Sequence, residues 1–563
     1  NIKIINIKTR TFSVTPLRGM SNLSTYFNHL SNFVRASSTN SSPKANLRPC
    51  KFEDLNTFSF SKSNVIRFMK SKLPKFKQNE SYYNNLLNDS RIIDYFKKYY
   101  PFAKLTQIEK YIKRSKYYDK AYFNKLAAQV SETRSQFISN LESATSLMSK
   151  EAHVAISETE HLIGLRYIHE RIFCGKTSAY SPSVTEVLDQ IKWNASSGLP
   201  SPWFKKSQVR EQVVRVVSQL KEGTFSYGKV ASFIPLTAAF SRSQVTKSGL
   251  KVRLVFAVNY IFIAIETYFN AIVKHIMDNT PSVAIHGYTQ IEISRLTQKG
   301  KSKHMLCVDY SRFDQRMPTF VLTSVLLYLV ALLGLSVYLQ NIFVLSFCYF
   351  MCMPVFHPEI PYNVKERGLS SGSGYTSRIG SLCNAYMLSI AIFRYCKQNN
   401  IKFSLNEFTI FVSSDDTMIC SNFFIDFKKL NHIMGEAFGM SLELESYAKP
   451  GEDRAFFLGS EWIEGEPFRD VNRMLGRILF GNPNLPKMSD LVLMQSRSFE
   501  ILGNTCQYSA IYDTFKIPYP SGSIFRILEL ADYTQRVNLE NRLTGYERRA
   551  LPERVHLNAN SAN

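Results

Sequence analysis

Two adjacent aspartates, Asp415 and Asp416, stand between short apolar runs in FVSSDDTMIC, residues 411–420. Side-by-side carboxylates repel each other. Either they belong to an ordinary turn, where acidic residues are common, or a divalent metal neutralises them, since hard cations take carboxylate oxygens. The next acids lie in HMLCVDYSRFDQRMP, residues 304–318. There MLCV reads as a buried strand with Asp309 at its end, and Asp314 follows ahead of a helix. A strand-end turn and a helix cap would give the same pattern. If this strand lies beside a hairpin over 409–420, Asp309 and Asp415 converge. With Asp416 they could then hold two magnesium ions, which at about 3.5–4 Å apart stabilise the attacking and leaving oxygens of phosphoryl transfer. Between these acids runs GLSSGSGYTSRIGSLCNAYML, residues 368–388. Gly368, Gly372 and Gly374 let a backbone approach a ligand closely. Thr376 and Asn384 are a little over two helical turns apart and so can share one side. A glycine-serine linker ahead of a core helix would look alike.

The rest of the chain must position these groups. Its 563 residues exceed what one core holds and suggest about two to four lobes. With 69 Lys and Arg against 45 Asp and Glu, the net charge is +24, which favours a polyanionic partner, either nucleic acid or an anionic membrane surface. Nine scattered cysteines without a CxxC pair argue against a disulfide framework and for a reducing compartment. His161, His169 and Cys174 fit no standard zinc spacing and read as helix-surface residues. Residues 1–52 hold eight Lys or Arg and no acid, which predicts a basic arm on RNA in preference to a mitochondrial transit peptide. The apolar run 320–339 is long enough to span a bilayer, yet Pro318 placed as a helix start and the charged motifs around it predict one helix buried in the core. Residues 53–180 alternate basic, aromatic and apolar positions at helical spacing. SQVTKSGLKVRLVFAV, residues 243–258, reads as a loop or hairpin rising into a strand. The order of elements is α+β, with helices on one small antiparallel sheet.

In this order, DYSRFD, SGSGYTSRIGSLCN and SSDD resemble motifs A, B and C of viral RNA-directed RNA polymerases, most closely those of small double-stranded RNA viruses, the partitiviruses and picobirnaviruses. SSGLPSPWF (196–204) is similar to the template-guiding motif G, and KSGLKVRLVFAV (247–258) to the basic motif F, with Glu266 where those viruses often carry Glu. LELESYAKPGEDRAFFLGSEWIEGEPFR resembles motifs D and E, with Lys449 and Phe457-Leu458-Gly459. The resemblance covers about 190–480 and departs from the pattern twice. Ser414 replaces the usual glycine of motif C, leaving magnesium or manganese as the preferred ion, and Gly380 stands where partitiviruses tend to carry Asp.

The resemblance implies a closed right hand of fingers, palm and thumb, with an antiparallel palm sheet flanked by helices. Residues 1–60 would be the basic arm and 61–300 the N-terminal region and fingers. The palm would be 301–480, with a fingers insertion near 340–375, and the thumb 481–563. It implies Asp309, Asp415 and Asp416 as metal ligands and Lys449 as the general acid for the pyrophosphate leaving group. Asp314, Ser371, Thr376 and Asn384 would read the ribose 2′-hydroxyl, which is both donor and acceptor. Lys251, Arg253 and Arg242 would hold the triphosphate, and Ser196, Ser197 and Gly198 would guide the template. Expected partners are RNA template and product, ribonucleoside triphosphates and a viral capsid protein, with no membrane. The expected location is the host cytoplasm or the virion interior, with mitochondria the alternative. A reverse transcriptase and a non-enzymatic RNA-binding or capsid-associated protein are the competing readings. The first would need a bulky residue to exclude a 2′-hydroxyl, where this chain has Asp314.

Overall fold

A computed structural model describes residues 3–4, 15–16, 76–98, 119–150, 152–175, 180–226, 235–246, 249–277 and 290–468, together with 470, 472, 473 and 476. The expected basic arm, apart from a short ladder pairing Lys3–Ile4 with Thr15–Pro16, and the expected thumb lie outside the described residues.

Along the chain, α1 (Thr133–Met148) and α2 (Glu158–Tyr167) precede a hairpin of β1 (Thr237–Thr246) and β2 (Gly249–Ala257). Helix α3 (Tyr260–Met277) leads to β3 (His304–Tyr310), then to α4 (Thr319–Leu332) and α5 (Val337–Cys352). Two short strands follow, β4 (Pro354–Phe356) and β5 (Asn363–Val364), and then the long α6 (Thr376–Gln398). Next come the hairpin β6 (Phe408–Ser413) and β7 (Asp416–Ser421), α7 (Phe427–Phe438) and β8 (Leu442–Ala448). A meander closes the described chain: β9 (Arg454–Phe457), β10 (Ser460–Ile463) and β11 (Glu466–Phe468).

The central sheet is antiparallel, in the order β8-β3-β7-β6. Alternation of side chains across a strand gives it two buried faces. On one face Leu306, Val308, Tyr310 and Ile419 join the main core with Leu382, Ala385 and Met434 of α6 and α7. On the other, Met305, Cys307, Met418 and Cys420 pack against Phe457 and Trp462 of the meander. Burial on both faces explains why MLCV and the 408–413 strand read as near-continuous apolar runs. Asp309 and Asp416 share the second face and lie at its end, where apolar packing stops.

Two expectations are corrected here. The molecule holds more than one sheet: β2-β1-β4-β5 forms a second, mixed one, in which β1 and β4 run parallel, and the meander is a third. The 320–339 run is two helices, not one. Gly334 takes a left-handed φ of +55° after α4, and the Ser336 hydroxyl caps α5 by accepting the Leu339 amide. Both helices are buried, as expected. The described helix long and apolar enough to cross a membrane is α6, and 89% of its apolar window is buried. Its Tyr386 ring lies so close to α2 that a Cβ on Gly164 would meet it at 2.5 Å.

His161 and His169 are also buried rather than on a helix surface. Their Nδ1 atoms lie 2.7 Å from the Tyr386 hydroxyl and 3.0 Å from the Tyr328 hydroxyl. The seven described cysteines are free thiols.

Candidate active site

The β6–β7 hairpin closes through a two-residue loop, because Ser413 pairs with Asp416. Ser414, the first of the two, has φ +61°. Tight hairpin loops with positive φ at that position favour glycine, so a serine there needs outside support, and α6 provides it. The Ser381 hydroxyl accepts the Ser414 amide at 2.9 Å, and Asn384 Nδ2 donates to the Ser414 carbonyl at 2.7 Å and to Thr417 Oγ1 at 2.8 Å. Asn384 Oδ1 in turn accepts from the Tyr310 hydroxyl at 2.7 Å, tying β3 to the same helix.

This framework sets the acids. Val308 pairs with Thr417, so Asp309 and Asp416 sit side by side on adjacent strands, with Asp415 in the turn above them. Burial raises the Asp415 carboxyl above its ordinary value, and the Asp309 charge adds to this. Asp416 is pushed up to about 7 by burial and then by Asp415, Asp309 and Glu445. Arg253 pulls both back down.

An acid whose folded pKa is raised makes the native state hold a proton that the unfolded chain has lost. Stability therefore falls as pH rises from about 4 to about 7. Asp416→Asn removes this penalty. In thermal melts without divalent ions the variant should melt above the wild type at pH 8, with the difference shrinking as pH falls toward 4. Parallel melting curves at every pH would show that the three acids do not repel one another as described.

Asp314 lies one turn beyond β3 and is half-buried. Its carboxyl is raised to about 7 by burial and by Asp415, while Arg253 and Lys365 lower it. Among the described residues no donor is bonded to that carboxylate, so it is available to a substrate hydroxyl. Its backbone carbonyl accepts the Leu369 amide at 2.6 Å, joining it to the glycine-rich loop.

Arg242, Lys251 and Arg253 are exposed on one face of the β1–β2 hairpin, and Val252 on the other face packs against Phe137 and Leu141 of α1. Arg242 and Arg253 are directly opposed in register. Like charges so placed repel unless an anion joins them. Arg253 is also the cation felt by Asp314, Asp415 and Asp416 alike, which brings the basic hairpin and the acids into one site.

Other predicted residues take different places. Lys449 stands at the far end of β8, because antiparallel pairing sets Glu443 opposite Asp309 and Ala448 opposite Met305. Measured along β3, Lys449 lies one residue past the level of Met305, roughly 16 Å from Asp309, so it is no general acid for this site. Asn384 is fully buried with its amide committed to the hairpin, and it supports the turn instead of meeting a ribose. The Ser371 hydroxyl donates to the Leu254 carbonyl at 3.0 Å, and Thr376 donates to the Ser370 carbonyl, so both shape the loop. Ser197 and Gly198 are buried, and the Ser196 and Ser197 hydroxyls donate to the Pro202 and Ser201 carbonyls within their own turn. The turn is also fastened to the start of α3, where the Tyr260 amide donates to the Ser197 carbonyl and Asn259 Nδ2 to the Leu199 carbonyl, and half-buried Ser196 is the member left nearest the surface.

Glu443, Glu266 and Lys365 were not singled out as site residues from sequence. Glu443 sits in an alternating strand, LELESYA, whose partner had to be known before its place beside Asp309 could be seen. Glu266 is a buried charge on the apolar helix α3, and Lys365 is a buried charge just past the short strand β5 in a polar segment.

Asp309, Asp415 and Asp416 offer only carboxylate oxygens, a donor set suited to a hard divalent cation. Their mutual repulsion is what such a cation would relieve. Among the described residues no three His, Cys, Asp or Glu side chains form a ready-made metal cage.

Comparison with known proteins identifies the family and the fold. No curated protein matches the chain. Among solved structures, the sicinivirus 3Dpol RNA-dependent RNA polymerase is similar in fold, with a TM-score of 0.52 over 71% of this chain and 90% of that one, at 13% identity. Residues 172–470, more than half of the 563, match the viral RNA-dependent RNA polymerase family and contain every acid and every basic residue assembled above. The chain belongs to the viral RNA-dependent RNA polymerases.

Proposed function

We propose that this polymerase joins ribonucleotides on an RNA template by a two-metal mechanism, with Asp309 and Asp415 as the principal ligands and Asp416 assisting. The observation that carries this reading is the register that sets Asp309 beside Asp416 on adjacent strands with Asp415 in the turn above them. When bound, magnesium would supply Lewis-acid stabilisation of the attacking and leaving oxygens. The chain's own residues do the rest. Arg253, with Lys251 and Arg242 on the same hairpin face, holds the triphosphate through charge-assisted bonds. Asp314 accepts a bond from the ribose hydroxyl. The α6 side chains Ser381 and Asn384 keep the hairpin turn in the one shape that presents Asp415.

The closed right hand is the arrangement this reading implies. The motif spacing favours a small double-stranded RNA virus as the source. Work in the host cytoplasm or inside a particle, beside a capsid protein, belongs to the same reading. The deciding assay is RNA-templated incorporation of each of the four ribonucleotides with magnesium or manganese. A protein that extends only with deoxyribonucleotides would be a reverse transcriptase.

The +24 charge makes a second expectation. RNA affinity should drop steeply with salt, by about a thousandfold between 50 and 200 mM if six or more phosphates are neutralised. Affinity that stays flat across that range would assign the basic surface to another partner.

A further inference from the structure

The loop between β5 and α6 is held from behind by two buried ionisable side chains of opposite sign. Lys365 is 1% exposed. Its Nζ donates to the Gly368 carbonyl at 2.9 Å and to Ser370 Oγ at 2.8 Å, and it lies 5.1 Å from the centre of the Phe350 ring. Glu266, on α3, has no exposed surface. Its Oε2 accepts from Ser373 Oγ and from the Gly374 amide, each at 2.7 Å. One turn along α3, Asn270 Nδ2 donates to the Gly374 carbonyl at 2.8 Å, so both sides of that residue's backbone are gripped by one helix.

The stretch between the two grips touches the site on two sides. Gly368 and Leu369 donate their amides to the Met317 and Asp314 carbonyls, against the turn that carries Asp314. Ser371 and Gly372 rest on β2, the strand of Lys251 and Arg253. A Cβ on Gly372 would fall 1.6 Å from the Phe256 carbonyl oxygen, so only glycine fits that contact. A shift of this loop would therefore move the sugar-facing acid and the phosphate-facing strand together.

We propose that Glu266 and Lys365 are positioning residues which clamp the two ends of the Gly368–Thr376 loop and thereby set nucleotide affinity, an inference that rests on the polymerase reading above. Burying two ionisable groups is costly, and apolar side chains would pack there more cheaply. Burial draws the Lys365 ammonium down to about 7 and the Glu266 carboxyl up to about 7, with each easing the other's charge. Leu369 and Tyr375 anchor the loop in the core, and what the two ionisable groups add that apolar ones cannot is directed bonding to the glycine- and serine-rich backbone between them. Neither reaches the acids of the metal site, so their effect belongs to binding and not to the chemical step.

Glu266 Oε1 and Asn270 Oδ1 are both buried without a donor, which gives the test a shape-preserving variant. Glu266→Gln keeps one oxygen for Ser373 and Gly374 and places an amide donor where Oε1 has none. The experiment uses the full chain in single-nucleotide incorporation on a primed RNA template, with hydrogen exchange of the 366–376 backbone and RNA affinity measured alongside. Glu266→Ala and Lys365→Met should each raise the nucleotide KM about tenfold or more, the size of one lost hydrogen bond. Loop exchange should quicken by a similar factor, with kcat and RNA affinity little changed. Glu266→Gln should restore KM to near the wild-type value. Unchanged KM and exchange in Glu266→Ala and Lys365→Met would overturn the proposal, and so would a joint collapse of KM, kcat and RNA affinity in all three variants. If the wild type incorporates no nucleotide while Glu266→Ala still loosens the loop, the clamp stands and the polymerase chemistry falls.

Discussion

Asp415→Ala abolishes ribonucleotide addition while RNA affinity stays within about twofold of wild type, because the Lys and Arg that neutralise phosphates are untouched. The expected loss in kcat is roughly a thousandfold or more, about 4 kcal/mol of barrier. Asp415 is the acid with the least freedom, since it sits in a two-residue loop whose preceding residue is bonded through both its amide and its carbonyl to α6. Asp309→Ala should behave alike, for it faces the same space from the adjacent strand. Any substantial polymerisation by Asp415→Ala would remove it from the metal site and shift that role to Asp309 and Asp416.

Asp314→Ala narrows the preference for ribonucleotides over deoxyribonucleotides. A site built to bond a hydroxyl rejects analogues that lack it, because its buried partner is left unpaired. Losing that bond costs roughly 1–3 kcal/mol, or about one to two decades of discrimination. With Asn384, Ser371 and Thr376 committed to the hairpin and the loop, Asp314 carries most of this burden. The measurement is the rNTP to dNTP efficiency ratio, wild type against variant, with RNA as template. A ratio that does not move would take Asp314 out of sugar reading. Equal use of both sugars by the wild type would dismiss the ribose site as a whole.

The chemistry-bearing motifs were legible in the sequence because each combines a strand or turn signal with charged residues. The 411–420 hairpin, the strand ending at Asp309 and the basic strand at Lys251 and Arg253 lie where their patterns put them. What escaped was anything set by register or by packing between distant elements. Lys449 follows a plausible motif, but β8 runs antiparallel to β3 with an irregularity between Leu444 and Ser446, and only that pairing reveals which end of the strand meets Asp309. Asn384 carries the right side chain at the right helical spacing. Its helix, however, packs against the turn, so the amide is used before any nucleotide arrives. The 320–339 run hid its break because Gly334 and Ser336 are single residues inside an apolar stretch. Glu266 was visible only as a position the resemblance shares, and Lys365 gave no signal, since a buried charge is visible only once burial is known.

The Ser414 side chain has one more consequence, which concerns how this site can change. A Cβ on Gly380 would stand 3.3 Å from the Ser414 hydroxyl oxygen, 3.1 Å from Leu369 Cδ1 and 3.4 Å from the Phe313 ring. The space beside residue 380 is thus partly filled by the serine of the hairpin loop. The two departures from the pattern, serine in the turn and glycine in the helix, therefore meet in space. A larger residue at 380 requires the Ser414 hydroxyl and Leu369 each to give by a few tenths of an ångström. A lineage, or a designer, that enlarges residue 380 must therefore resettle the hairpin side chain beside it.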